Sequence, residues 1–257
     1  MTTTGFLIFL LVLVRMTGLF FLAPVFAHAS IPAQVKAWFA FAATLVVYPI
    51  VSQIAVPVSV PGDVWEFALV IARELLVGLV VGYAALLVFA AAQYAGELID
   101  TQIGFGMANL VDPSYGAQVT VIGQIHFLVA TMVYLAVNGH HFLVGALVRS
   151  YNMVPMGQAA LTPDLFRLIV MRFSELFKIA VRMALPAVAC LLITEMALGV
   201  LARAVPQMNV LMVGFPLKIG VGLAILVLAA PGFVSYVHTV VGRLQEAIVM
   251  ILGAMGR

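Results

Sequence analysis

The stretch Leu75-Leu76-Val77-Gly78-Leu79-Val80-Val81-Gly82-Tyr83-Ala84-Ala85-Leu86-Leu87-Val88-Phe89-Ala90-Ala91-Ala92 runs for 18 residues without a charge. It lies in an apolar run over 66–93, and about 20 such residues in an α-helix cross the hydrocarbon core of a bilayer. The rest of the chain has the same character. Of 257 residues 65% are hydrophobic and 9% charged, against roughly 25% charged in soluble domains. That balance excludes an ordinary soluble domain and a disordered chain. A net charge of +2, with no run of five like charges, also excludes a nucleic-acid binder. The single cysteine, Cys190, cannot form an internal disulfide, so the fold is held by packing.

Working outward, further apolar helical stretches fall at 5–24, 37–57, 123–148, 177–200 and 210–235, which predicts six long helices and an all-α, polytopic membrane protein. Prolines at 24, 32, 57, 61, 113, 155, 163, 206 and 231 break or flank these runs, and Trp38 and Trp65 stand near proposed ends, where indole prefers the interface. Ala27-His28-Ala29 imitates a signal-cleavage site. However, residues 1–6 lack the basic residues of a signal peptide and Arg15 interrupts the apolar run, so the first span is expected to be retained. Arg149, Arg167, Arg172, Lys178, Arg243 and Arg257 share a side with both termini, against Lys36 and Arg203 opposite, which favours cytoplasmic termini.

Two segments read as helical without spanning. Thr162-Pro163-Asp164 supplies a cap, a first-turn proline and an acid at the positive helix end, and this helix is expected to run into the fifth span with a kink at Pro186. Val237, Val240, Val241, Leu244, Ile248, Ile251 and Leu252 recur at helical spacing opposite His238, Arg243 and Glu246. This C-terminal amphipathic helix is expected on a membrane surface or against a partner. No repeat or linker divides the chain, which is treated as one integral membrane domain over 1–257.

Charges inside apolar helices cost roughly 2.5–3.5 kcal/mol each on insertion scales, so Arg15, Arg73, Glu74, Glu195 and Lys218 each call for a partner. They either pair between helices or subunits, with the adjacent Arg73 and Glu74 balancing each other, or line an ion route. Gly78-x-x-x-Gly82 is read as a bare face for close helix packing. His126, His140 and His141 have poor spacing for a metal and are read as helix-end or interfacial residues. No GxSxG, Walker loop or paired intramembrane aspartate is present, so neither an enzyme nor a cofactor is expected.

The segment from Gly96 to Gly116 lies in a connection of about 30 residues between two spans, far beyond the usual 2–8. It is too apolar for disorder: Phe105, Met107, Leu110, Val111 and Tyr115 need cover, while Gly104, Gly106 and Gly116 permit turns closed to other residues. Such a loop could plug an opening, or simply pack as a re-entrant segment.

Arg203-Ala204-Val205-Pro206-Gln207-Met208-Asn209-Val210, followed by Gly214-Phe215-Pro216-Leu217-Lys218, closely resembles the signature of the FliR family of flagellar export proteins. Glu97, Asp100, Gln102, Gly104 and Phe105, the Asp112-Pro113 turn, Asn138-Gly139-His140-His141, Arg15 to Gly18 and Pro24-Val25-Phe26 are similar to it as well. The resemblance extends over about 6–235 and implies a subunit of a type III export gate in the bacterial inner membrane, at the flagellar basal body. It implies assembly with FliP-type and FliQ-type subunits, contact with an FlhB-type subunit, and passage of unfolded flagellar proteins. By the same resemblance the loop over 104–123 is a pore plug, with Gly104, Phe105, Gly106, Met107, Leu110, Asp112, Pro113, Tyr115 and Gly116 as its residues. Arg15, Arg73, Glu74, Glu97, Asp100, Gln102, Glu195 and Lys218 are then expected to make polar contacts between helices or subunits, and Arg203, Pro206, Gln207, Met208 and Asn209 to form the signature turn. In that turn Pro206 is expected to end one helix and Asn209 to cap the next. The alternatives are an injectisome gate subunit and a stand-alone secondary transporter using Arg15, Glu74 and Glu195, although no matching halves are visible.

Overall fold

A computed structural model describes residues 3–27, 31–54, 62–105, 120–207 and 209–256. Among these the chain is all helical: α1 Thr3–Leu22, α2 Ala33–Ile54, α3 Val64–Ile103, α4 Val121–Ala136, α5 Gly139–Met153, α6 Pro163–Ala204 and α7 Val210–Met255. Five helices are long and apolar enough to cross a membrane, or six if α4 and α5 count as one broken span. The protein is therefore a polytopic membrane protein with the expected number of spans.

Three boundaries differ from the sequence reading, each for a physical reason. The third span does not stop near residue 93; α3 runs 40 residues in all, from Val64 to Ile103, so Glu97, Asp100 and Gln102 stand on its last two turns rather than in a loop. The fourth span is broken, with α4 and α5 bent by 66°. Asn138 adopts the left-handed φ of 55° that a helix cannot continue through. The sixth span and the C-terminal amphipathic helix are one 46-residue helix. Its last apolar residues, Val241, Leu244, Ile248, Ile251 and Leu252, are buried within the chain, neither on a membrane surface nor left for a partner.

Helix ends follow local chemistry. The Thr162 hydroxyl accepts the Leu165 N–H (3.2 Å) at the start of α6, with Pro163 in the first position where its missing N–H costs nothing. The Asn209 side chain accepts the Met212 N–H (3.4 Å) at the start of α7, after α6 ends at Ala204.

The contacts gather into two compact units interleaved along the chain. The first comprises 1–87, 134–173 and 241–257, and the second 88–133 and 174–240. In the first unit α1 lies against α3 along glycines of both helices. A Cβ on Gly18 would come within 2.6 Å of the Leu75 carbonyl, one on Gly78 would overlap the Arg15 carbonyl, and one on Gly82 would sit 2.9 Å from the Leu19 carbonyl. Both glycines of the Gly78-x-x-x-Gly82 face are thus used where backbone meets backbone, and dispersion between the closely apposed helices supplies the attraction. Aromatic edges join α1 to α2, with Phe9 5.7 Å from Tyr48 and 6.0 Å from Phe41. In the second unit Gly96 of α3 meets Gly123 of α4, where a Cβ on Gly96 would lie 2.5 Å from the Gly123 Cα.

Because the obstacle at Gly78 is backbone, Gly78→Val is expected to force α1 and α3 apart. The cost should reach or exceed the ~1–3 kcal/mol typical of overpacking. Gly242, which has no neighbour within 4 Å of an added Cβ, is the control. Thermal unfolding in detergent should show a lower midpoint for Gly78→Val and little change for Gly242→Ala.

Candidate functional site

Two polar constellations and one cavity stand out from the apolar background, each lying within one unit. The first is centred on Arg15 of α1, which is fully buried with Glu74 of α3 and Ser150 of α5. The guanidinium meets the carboxylate with two parallel bonds, Nε to Oε2 at 2.6 Å and Nη2 to Oε1 at 2.9 Å. Nη1 donates to Ser150 Oγ (2.9 Å), and Nη1 and Nη2 share the Val154 carbonyl at 3.3 and 3.2 Å. The Tyr151 ring lies 4.1 Å below the guanidinium carbon. Glu74 Oε1 also accepts the Gly157 N–H at 2.7 Å, from a glycine whose φ of +73° turns that N–H inward. Arg73, the neighbour expected to balance Glu74, points elsewhere and donates to the Gly157 carbonyl at 2.9 Å. The planar fork of arginine explains the choice of residue, since a lysine could not bind a carboxylate in two places and a carbonyl beside it.

The second constellation sits at the base of the long connection. Asp100, in the last turn of α3, is buried, and its carboxylate accepts the Ile122 N–H (3.0 and 3.1 Å) and the Gly123 N–H (3.2 Å). These are free donors of the first turn of α4, so a carboxylate from another helix caps it and meets the positive end of its dipole. Both stems of the connection are thereby pinned. Gly104, with φ of +98°, turns the chain out of α3, and an added Cβ there would lie 2.9 Å from the Phe215 ring. Gln93 donates to Glu97 at 3.1 Å, and Gln102 is half-buried on the last turn of α3. Phe105 is half-buried; Gly106, Met107, Leu110, Asp112, Pro113, Tyr115 and Gly116 lie outside the described residues.

Glu195 and Lys218 form a partly exposed ion pair of 3.3 Å between α6 and α7. The acids and bases Arg15, Glu74, Glu195 and Lys218 therefore have partners inside this chain. In the signature turn Arg203, Pro206, Gln207 and Asn209 are exposed, and Met208 lies outside the described residues. The third feature is a cavity of about 900 Å³ in the second unit, bordered by His126, Arg182, Pro186 and Phe233. The His126 ring is buried and stacks on Phe233 at 4.2 Å.

With the geometry in view, comparison with known proteins decides the family. The profile of bacterial export proteins, family 1, matches residues 6–244. The chain belongs to the FliR family of flagellar export proteins. It is 36% identical over 251 residues to the flagellar biosynthetic protein FliR of Bacillus subtilis, covering 96% of this chain and 95% of that one. The FliR of Escherichia coli is 31% identical, covering 85% of this chain and 82% of its own. That of Aquifex aeolicus is 33% identical, covering 90% and 88%. Within the family signature, Phe215 packs at Gly104, where the connection leaves α3, and Lys218 holds Glu195.

Sequence reading identified Arg15, Glu74 and Asp100 but missed what completes them. Ser150, Tyr151, Val154 and Gly157 act through a hydroxyl, a ring face, a carbonyl and an N–H, and only the first two carry a side chain with any sequence signal.

Two predictions follow from the geometry. Arg15→Met or Glu74→Leu leaves one buried charge unpaired and should cost ~3–5 kcal/mol, whereas the double change Arg15→Met/Glu74→Leu should recover much of the loss. Thermal unfolding of the four forms in detergent measures this as a double-mutant cycle. Asp100→Ala leaves two buried N–H groups without an acceptor, at ~1–3 kcal/mol each. Hydrogen exchange at Ile122 and Gly123 should accelerate while that at the Arg15 cluster stays unchanged.

Proposed function

We propose that this protein is a non-enzymatic subunit of the flagellar type III protein export gate in the bacterial inner membrane, acting as a single integral component. In this reading it assembles with FliP-type and FliQ-type subunits, contacts an FlhB-type subunit, and forms part of the channel for unfolded flagellar proteins. Family membership across 6–244, together with relatives named as flagellar biosynthetic proteins, carries the conclusion. Those names also favour the flagellar branch over an injectisome.

The plug assignment for 104–123 is supported by the Asp100 clasp. Hydrogen bonds between Asp100 and Ile122, 22 residues apart, hold the two ends of the connection together, and the sequence between them is rich in apolar residues and glycine. Such a loop can fill an opening and repack around a passing chain, since methionine and glycine tolerate varied surroundings. The transporter alternative is weakened by the pairing of its charges. Arg15 and Glu74 neutralise each other away from solvent, which leaves neither to carry an ion.

Deletion of Gly106–Tyr115 is expected to leave the multi-subunit complex assembled while raising the leak of ions or small solutes through the membrane. Conductance of the purified complex in planar bilayers reads this directly. An assembled complex with unchanged leak would overturn the plug assignment. Native mass spectrometry of the tagged chain from its host tests the gate itself, with a fixed complex of small apolar proteins expected and a lone chain contradicting it.

A further inference from the structure

The end of α3 is held from a second side, by α6 and α7 acting as a pair. Three rungs join these two helices, all within the second unit. A Cβ on Gly214 would lie 3.3 Å from Leu198 Cδ1, Lys218 Nζ is 3.3 Å from Glu195, and a Cβ on Gly222 would lie 3.6 Å from Leu191 Cδ2. Along α7 the rungs climb from 214 to 218 to 222 while along α6 they descend from 198 to 195 to 191. The helices are therefore antiparallel and meet once per turn.

Ile103, the last residue of α3, enters this pair at the third rung. Its side chain is fully buried, and a Cβ on Gly222 would lie 2.5 Å from Ile103 Cδ1 and 2.7 Å from Cγ1. Gly222 is thus a notch in α7 that the isoleucine fills. With no exposed surface, Ile103 has no free space to withdraw into if the notch is closed. Two turns earlier on the same face of α7, the Phe215 ring lies against Gly104. The isoleucine in its notch fixes where α3 ends. The ring beside the next residue, whose φ of +98° already turns the chain, fixes the direction in which the chain leaves. Asp100 does something different, since its carboxylate ties α3 to α4.

We propose that Phe215 and Gly222 are positioning residues of the gate, which seat the start of the connection on the α6–α7 pair and so hold the segment assigned as a plug in its closed place. This rests on the plug reading above. Lys218, between the two on α7, locks that helix to α6 through Glu195 and keeps the seat from sliding. A packing contact with no part in closure is the competing reading, and it implies lost stability without leak.

The test uses the assembled complex containing the full chain and reads conductance in planar bilayers together with hydrogen exchange. The Gly104 N–H donates to the Asp100 carbonyl at 3.0 Å and reports on the seat, while the Ile122 and Gly123 N–H groups report on the clasp. Phe215→Ala and Gly222→Ala are each expected to speed exchange at Gly104 and to raise the leak about tenfold, equivalent to ~1.4 kcal/mol of lost seating. Exchange at Ile122 and Gly123 should stay unchanged. Because notch and isoleucine match in size, Ile103→Ala/Gly222→Ala should bring both readouts back toward those of the unaltered protein, which a general loss of stability would not do. Either single variant serves if the other does not assemble. The Gly106–Tyr115 deletion is the reference. A leaky deletion beside tight Phe215→Ala and Gly222→Ala complexes overturns this proposal and leaves the plug reading standing. A deletion that does not leak removes the plug reading and this proposal with it. Unchanged exchange at Gly104 in both variants, or exchange that speeds equally at Ile122, also overturns the seat.

Discussion

The bidentate contact between Arg15 and Glu74 is the constraint on which the first unit depends. Two full charges have been taken out of water, and only near-ideal geometry with every remaining donor and acceptor occupied makes that tolerable. The occupancy is nearly complete. Glu74 takes two guanidinium N–H groups and the Gly157 amide, and the remaining guanidinium donors go to Ser150 and Val154. Because these groups come from α1, α3, α5 and the turn after it, no one of those elements can shift without stranding a charge. Apolar packing alone, which tolerates sliding, would not specify their register so closely.

The glycines make this contact possible. Gly18 and Gly78 let the backbones of α1 and α3 approach until the Arg15 carbonyl meets Gly78 itself, and this brings the long arginine side chain to lie flat against Glu74. In the second unit the same device recurs at lower charge. Gly96 and Gly123 allow α3 and α4 to touch, and Asp100 then reaches the first-turn amides of α4. Close backbone approach followed by one carboxylate thus organises both units, one through an ion pair and the other through a helix cap.

This arrangement separates a rigid framework from the segment proposed to move. The segment proposed as a plug connects two stems that Asp100 ties together. The Asp100 clasp and Gly104, whose backbone lies against the Phe215 ring, belong to those stems. Phe215 stands at that boundary, and Lys218, one turn further along α7, ties the helix to α6 through Glu195.

The sequence by itself determined the class of the fold: apolar runs of about 20 residues with few charges have the length of membrane-spanning helices, far longer than barrel strands, and a helix satisfies its backbone groups within the segment. It also determined the Thr162 and Asn209 caps, the close-packing role of the Gly78 and Gly82 face, and which charges needed partners, since each is a local property or a strong exception to one. Only the tertiary structure decided who those partners are. Adjacent Arg73 and Glu74 look paired in the sequence, but neighbours on a helix point about 100° apart, and Glu74 turns to Arg15, 59 residues away. Hydropathy likewise could not place the end of α3 or the break at Asn138. The apolar residues on both sides are equally suited to a helix, and the turns rest on single residues, Gly104 and Asn138, held at positive φ. The amphipathic face of the last helix was legible, yet the surface it covers belongs to its own chain. Periodicity reports that a face must be buried, and only the packed structure shows against what.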